Sequence, residues 1–251
     1  TDTPVRFVGS ATIGTDHVDL DWLRRQGIAF AHAPGCNAQA VVEYVLQAVL
    51  SWCANTGREP AQLSLGIVGA GNVGGRLAAH AAALGMRVVP CDPPRAAAGD
   101  VLAWPWATLD AALACDVVSL HVPLTRIGPD ATFHLLDESA LAKLHAGQLL
   151  INTCRGPVID NHALLTRLSR QDGPTCVLDV WETEPSVPLL LFDKVWLGTP
   201  HIAGYSFEGK LRGSWMVYQA LGRWLGQELA MPALPQAGDL TASVQGWRDI
   251  L

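Results

Sequence analysis

Leu65-Gly66-Ile67-Val68-Gly69-Ala70-Gly71-Asn72-Val73-Gly74 joins a short apolar run of strand length to a G-x-G-x-x-G turn, and a helical pattern follows at once. That order is what a dinucleotide turn requires. Gly69 permits the tight turn, Gly71 lets backbone amides approach a pyrophosphate, and Gly74 lets the helix pack closely on the strand. Unpaired N–H groups at the helix start, around Asn72 and Val73, favour the anion. Gly69, Gly71, Asn72, Val73 and Gly74 are therefore the expected cofactor cradle. Asp92 ends the next strand at about the distance expected of an acidic group on the adenosine ribose. A carboxylate there accepts from the 2′-hydroxyl and repels a 2′-phosphate, so NAD is the expected cofactor, with nearby Arg95 softening the preference.

Outward from this turn the pattern alternates strand and helix, which predicts an α/β fold with a doubly wound parallel sheet. Downstream, strands are expected at Arg87–Cys91, 117–122, 149–153, 176–180 and 195–198. Helical stretches are expected at 73–84, 109–114, 162–170 and 208–225, with another that Asp137 caps and that runs to His145. Upstream, a strand over 6–10, a helix over 18–26 and a strand over 28–32 form a smaller unit. Asn37 is placed to cap a helix from Ala38 to about Ala54, with Val41, Val45, Val49 and Trp52 at helical spacing. The stretch from Met231 to Gly238, with Pro232 and Pro235, reads as a linker.

Composition narrows the function classes. The 251 residues are 49% hydrophobic and 16% charged, with a formal net charge of −6, a balance that suits a buried sheet. Clustered Lys and Arg for a nucleic-acid partner are lacking. No apolar stretch has the length of a membrane span, and the first residues carry no export signal. The six cysteines show no C-x-x-C pair and no zinc spacing. They are expected as reduced thiols in a cytoplasmic protein, with no metal site.

Three further segments carry chemistry: Ile151-Asn152-Thr153-Cys154-Arg155-Gly156, Leu178-Asp179-Val180-Trp181-Glu182-Thr183-Glu184-Pro185, and Thr199-Pro200-His201-Ile202-Ala203-Gly204-Tyr205. Each follows an expected strand of one sheet, so all three reach the carboxyl edge where ligands bind. Oxidation of a 2-hydroxy acid needs a cation to clamp the carboxylate, and the fork of Arg155 suits that task. It also needs a base near neutral pH, for which His201 has the right intrinsic pKa. Glu184 can bond the other imidazole nitrogen. Of the remaining histidines, His32 and His121 end strands and could line the cleft; His17, His80, His134, His145 and His162 read as surface.

On these motifs the sequence resembles the D-2-hydroxyacid dehydrogenase family, whose Arg, Glu and His occur in this order. The resemblance implies that Arg155 orients substrate, Glu184 supports the histidine and His201 transfers the proton. It further implies NAD contacts from Asp92, Thr153, Cys154, Arg155, Asp179 and Gly204, and substrate contacts from Thr12, Arg155 and Tyr205. The stretches Gly9–His17, Ala33–Ala38, Cys91–Arg95 and His201–Gly213 are similar to a branch that takes a phosphorylated 2-hydroxy acid. Lys210 and Arg212 there offer positive charge, or are solvated helix charges. Two departures stand out: Val122 replaces a frequent Thr, and Cys154 replaces the usual Ala or Ser.

The resemblance implies a Rossmann-like NAD domain over 39–203. A smaller flavodoxin-like substrate (lid) domain would be built from 1–38 and completed by about 204–226. Residues 227–251 would be a linker and the start of a C-terminal dimerisation domain, so that a full-length protein would be a homodimer. By the same comparison the family's first strand and helix, with a substrate-binding Ser, would precede Thr1. The chain is therefore expected to be a fragment that holds NAD but is catalytically impaired. Two other readings stay open here: a phosphoglycerate- or hydroxypyruvate-type dehydrogenase, and an NAD-binding interaction module with little turnover.

Overall fold

A computed structural model describes residues 3–230 of the chain. In chain order the elements are β1 (Phe7–Ser10), α1 (Leu20–Arg25), β2 (Ala29–His32), α2 (Ala38–Thr56), β3 (Ser64–Val68), α3 (Gly74–Ala83), β4 (Arg87–Cys91), α4 (Pro93–Ala97), α5 (Leu109–Leu113), β5 (Val117–Leu120), α6 (Glu138–Leu141), β6 (Leu149–Asn152), α7 (Asn161–Ser169), β7 (Thr175–Leu178), α8 (Leu189–Phe192), β8 (Leu197–Gly198) and α9 (Phe207–Leu225). Within the described residues the chain divides into two compact units, one of residues 3–40 with 204–230 and one of residues 41–203.

The larger unit holds a six-stranded sheet in the order β4-β3-β5-β6-β7-β8, with every pair parallel. Every residue of β3, β5 and β6 is buried, as near-continuous apolar strands must be when both faces are covered. Side chains alternate between two cores, as the two-residue strand period demands. Leu65, Ile67, Val117, Leu149, Ile151 and Val177 join Val45, Val49 and Trp52 of α2 and Leu77 of α3 in one cluster. Val118, Leu120, Leu150, Cys176 and Leu178 join Leu113, Leu141, Leu164 and Trp181 in the other. Truncating a side chain such as Ile67 to Ala typically costs about 2–5 kcal/mol.

The chain leaves β3 for β4 on one side and returns to β5 on the other, so the strand order reverses between β3 and β5. A doubly wound sheet binds ligands in the crevice beyond the strand ends at such a reversal. The glycine turn sits there.

The smaller unit pairs β1 and β2 in parallel, Phe7 opposite Ala29 through Ser10 opposite His32, and packs α9 against both strands. Its close approach depends on missing side chains. A Cβ on Gly9 would meet Val217 at 2.2 Å, and one on Gly213 would meet the Ala11 carbonyl oxygen at 2.8 Å.

Several sequence expectations need correction. The cap from Asn37 is not made: its buried Oδ1 accepts no hydrogen bond among the described residues, and the Ala38 N–H donates to the Gly35 carbonyl. The helix that Asp137 caps stops at Leu141 rather than His145. The last strand is two residues long and does not begin at Val195. Two short helices, α4 and α8, were not expected. The Pro-rich stretch from Met231 and the segment expected to open a dimerisation domain lie outside the described residues. Among the described residues, no helix is long and apolar enough to cross a membrane.

Candidate active site

The three motif glycines differ in their surroundings as dinucleotide binding requires. Gly69 has φ +91°, and a Cβ on it would lie 2.7 Å from the His121 carbonyl, where β5 ends. A Cβ on Gly74 would lie 2.0 Å from the Gly69 carbonyl oxygen and 2.9 Å from Ile67. Gly71 is exposed and a Cβ there would meet nothing within 4 Å, so it faces open space. Asn72 is exposed beside it, and Val73 is half-buried at the helix start. A pyrophosphate fits this cradle: two glycines are enforced by the protein's own packing, and the third leaves its space free.

Asp92 sits at the end of β4 and turns towards the same loop. Its Oδ2 accepts from the Ala70 N–H at 2.9 Å, and its Oδ1 accepts from the Arg95 N–H at 3.2 Å, capping α4. The Arg95 guanidinium donates to the Ala70 carbonyl and, through Nε at 2.6 Å, to Asp100. Thr153, just after β6, is 9% exposed and its hydroxyl has no hydrogen-bond partner among the described residues. Such an orphan is costly unless a ligand completes it, which fits a cofactor contact.

The catalytic candidates arise on adjacent strands. Arg155 follows β6, Glu184 follows β7 and His201 follows β8. Glu184 and His201 meet directly, Oε2 to Nδ1 at 2.7 Å. The second carboxylate oxygen, Oε1, accepts from the Trp181 N–H at 2.8 Å. Trp181 ties the loops together, because its buried indole N–H donates to the Thr199 carbonyl at 3.0 Å. The Arg155 loop docks backbone to backbone on the Trp181 segment: a Cβ on Gly156 would lie 2.0 Å from the Trp181 carbonyl. Arg155 itself is half-buried, and its Nη1 donates to the Cys154 carbonyl at 2.7 Å.

His201 has φ +58°, a left-handed backbone unusual for a residue with a side chain. Asp179 holds it there. The Asp179 carbonyl accepts the His201 N–H at 2.7 Å. Its carboxylate accepts from Thr199 Oγ1 at 2.6 Å and from the N–H groups of Ile202 and Ala203 at 2.7 and 2.9 Å. Asp179 is 1% exposed, so its charge is stabilised by these three donors rather than by water. Besides the cofactor contact that the resemblance implies for Asp179, its carboxylate organises the histidine loop.

The smaller unit holds the other expected contacts. Thr12 is exposed beyond β1, its hydroxyl 2.6 Å from Ser10 Oγ and donating to the Gly14 carbonyl at 3.0 Å. Gly204 is half-buried, and Tyr205 is exposed with the Lys210 ammonium 3.5 Å from its ring centre. By hydrogen bonding and charge, that ammonium lowers the Tyr205 phenol below its ordinary range. Arg212 donates to the Cys36 carbonyl at 3.1 Å. His32 lies 3.0 Å from the Ile13 carbonyl.

In the larger unit, burial pushes His121 down to about 3, and its Nε2 lies 2.9 Å from Ser119 Oγ. All six cysteines are free, and Cys154 is pushed up to about 11 by burial. His134, expected at the surface, is instead half-buried with Nε2 2.7 Å from Glu182 Oε1. Nothing in the sequence signalled that contact, which spans 48 residues.

The family described as "D-isomer specific 2-hydroxyacid dehydrogenase, NAD binding domain" matches residues 40–203. An erythronate-4-phosphate dehydrogenase from Marinobacter nauticus is 54% identical over 237 residues, covering 94% of this chain and 61% of that protein. One from Salinibacter ruber is 50% identical over 261 residues, covering 98% of this chain and 67% of the relative. The chain thus spans about two thirds or less of the length of these relatives. Among solved structures, a D-lactate dehydrogenase from Aquifex aeolicus complexed with NAD and lactic acid is 26% identical, with a TM-score of 0.70 over 88% of this chain and 77% of that one.

Proposed function

The chain belongs to the D-isomer specific 2-hydroxyacid dehydrogenases, and from that premise we propose that it oxidises the 2-hydroxyl of 4-phospho-D-erythronate, with NAD as the hydride acceptor. The product is 2-oxo-3-hydroxy-4-phosphobutanoate. The observation that carries the reading is the 2.7 Å contact between His201 Nδ1 and Glu184 Oε2, at the carboxyl edge of a sheet whose glycine turn fits a dinucleotide. Identity with the two erythronate-4-phosphate dehydrogenases supports the choice of substrate.

Each group has one task. The guanidinium of Arg155 pairs with the substrate carboxylate and polarises the forming carbonyl. Glu184 accepts a hydrogen bond from the Nδ1–H of His201, which leaves Nε2 free as the base and stabilises the imidazolium once formed. Nε2 then accepts the hydroxyl proton as the C2–H bond breaks. A nicotinamide held at the glycine turn would supply the acceptor for that hydrogen as hydride, a chemistry that belongs to the cofactor. Asp179 and Trp181 hold the histidine and glutamate loops so that no reorientation is needed during reaction. Thr12 and Tyr205 contact the substrate; Asp92, Thr153, Cys154, Arg155, Asp179 and Gly204 contact the cofactor. In its full-length form the protein would act as a homodimer.

Turnover of 4-phospho-D-erythronate, 3-phosphoglycerate and D-lactate with NAD, by wild type and His201→Ala, tests the proposal. The expected result is preference for the first substrate and a loss of about 10²–10⁴-fold on substitution. Equal use of 3-phosphoglycerate would overturn the substrate, and an unchanged rate in His201→Ala would overturn the mechanism.

A further inference from the structure

We infer that His134 is a positioning residue for the proposed reaction: through Glu182 it sets the turn from which Glu184 reaches His201. The inference rests on the function proposed above and adds a group outside the three catalytic loops.

The turn Trp181-Glu182-Thr183-Glu184 is held from two sides. On the catalytic side, the Trp181 N–H donates to Glu184 Oε1. On the other side, Glu182 works as a staple. Its N–H donates to Asn161 Oδ1 at 3.2 Å, and its Oε2 accepts the Asn161 N–H at 3.0 Å, a reciprocal pair with the first residue of α7. Its remaining oxygen, Oε1, meets His134 Nε2 at 2.7 Å.

His134 is itself tightly placed. Its N–H donates to the Pro157 carbonyl at 2.8 Å, its ring stacks on Phe133 at 4.0 Å, and Arg126 lies 4.0 Å over the other ring of that stack. It has φ +50°, one of two non-glycine residues with positive φ among the described residues; the other is His201. A side-chain residue keeps that backbone only where its surroundings enforce it. Both strained histidines grip a carboxylate of one short turn, His134 on Glu182 and His201 on Glu184.

A cation is an alternative occupant of this cluster, because ligand atoms of His134, Asp160 and Glu182 lie within 4.8 Å of one another. Hydrogen bonding already accounts for them. Asp160 Oδ1 caps α7 through the His162 and Ala163 N–H groups, Glu182 Oε2 serves Asn161, and Asp160 Oδ2 stands 3.7 Å from His134 Nδ1. The charged groups facing His134 are thus Asp160 and Glu182, with Arg126 beyond Phe133.

Losing the staple loosens Glu184 and leaves the His201 imidazolium less well paired. The rate falls, and the acid limb of the kcat/KM profile moves to lower pH, because the base then stays neutral to lower pH. The test is the pH profile and the kcat against KM split of wild type, His134→Ala and His134→Gln, whose amide still offers Glu182 a donor. For His134→Ala, kcat is expected to fall about tenfold, with KM and NADH affinity unchanged and the acid limb displaced; His134→Gln should recover most of both. Glu182→Gln provides the same readout from the other side of the contact, should His134→Ala fold poorly. A wild-type kcat, or a lowered kcat with an unmoved acid limb, overturns the inference. His201→Ala serves as the control: if it keeps full turnover, the proposed function falls and this inference with it. If it loses turnover while the His134 variants behave as wild type, this inference alone falls.

Discussion

Replacing Asp179 by Asn separates a residue that organises the histidine loop from one that only touches the cofactor. The carboxylate is 1% exposed and accepts three hydrogen bonds, from Thr199 Oγ1, Ile202 N–H and Ala203 N–H. An Asn in the same rotamer keeps its oxygen towards Thr199 and Ile202 but turns an NH2 towards the Ala203 N–H. One charge-assisted bond is lost, worth about 1.5–3 kcal/mol, and a buried donor is left unsatisfied at a further cost of about 1–3 kcal/mol. The expected loss is about 2.5–6 kcal/mol of stability in the cofactor-free protein. In a chain of this size that corresponds to a fall in Tm on the order of 5–24 °C. Urea denaturation of the apo protein measures the first figure and calorimetry the second. Because the Asp179 carbonyl also holds the His201 N–H, kcat should fall by about 10–100-fold as the imidazole loses its aim. Apo stability within about 0.5 kcal/mol of wild type, with the whole effect in NADH affinity, would refute this reasoning.

Three further outcomes follow from the same geometry. Gly71→Ala should leave apo stability unchanged and weaken NADH binding at least about tenfold by fluorescence titration, whereas Gly74→Ala, whose Cβ would lie 2.0 Å from the Gly69 carbonyl oxygen, should destabilise the apo protein first; the reverse pattern would contradict the assigned roles. Burial pushes His121 down to about 3 from its ordinary value of about 6.5, so between those values the unfolded chain binds more protons and stability declines as pH falls, by up to about 1.4 kcal/mol per pH unit. His121→Asn should flatten that slope in urea titrations. The six thiols, with Cys53, Cys91 and Cys154 pushed up to about 11 and Cys176 to about 12 by burial, should react slowly with iodoacetamide at pH 8 until the protein is unfolded; rapid labelling of Cys176 in the native state would count against the buried sheet.

What could be read in the sequence was what is local. The glycine turn announces itself because strand, turn and helix lie within ten residues, and its three glycines meet three different neighbourhoods. Buried strands such as Val117–Leu120 show as short apolar runs, although their ends fall one or two residues early, where the backbone turns off the sheet. Short helices escaped for a physical reason: five residues at α4 and four at α8 are too few to display a 3.6-residue period. The Asp92-Pro93 start of α4, an acceptor followed by Pro at the first helical position, was the available signal. Asn37 shows the opposite error, since a good capping residue type does not ensure capping geometry.

The site divides in the same way. Arg155, Glu184 and His201 could be nominated because each follows a strand of one sheet, and the structure joins Glu184 to His201. The supporting contacts were not legible. Asp179 to Ala203, Trp181 to Thr199 and His134 to Glu182 link residues 24, 18 and 48 positions apart, and neither periodicity nor spacing encodes them.

The most direct test is a crystal structure of the protein with NAD and a non-reacting 2-hydroxy acid analogue. The expected arrangement has the C2 hydroxyl about 2.6–3.2 Å from His201 Nε2, with Glu184 still on Nδ1 and the analogue's carboxylate in the fork of Arg155. A hydroxyl bound by some other side chain, with His201 turned away, would contradict the account.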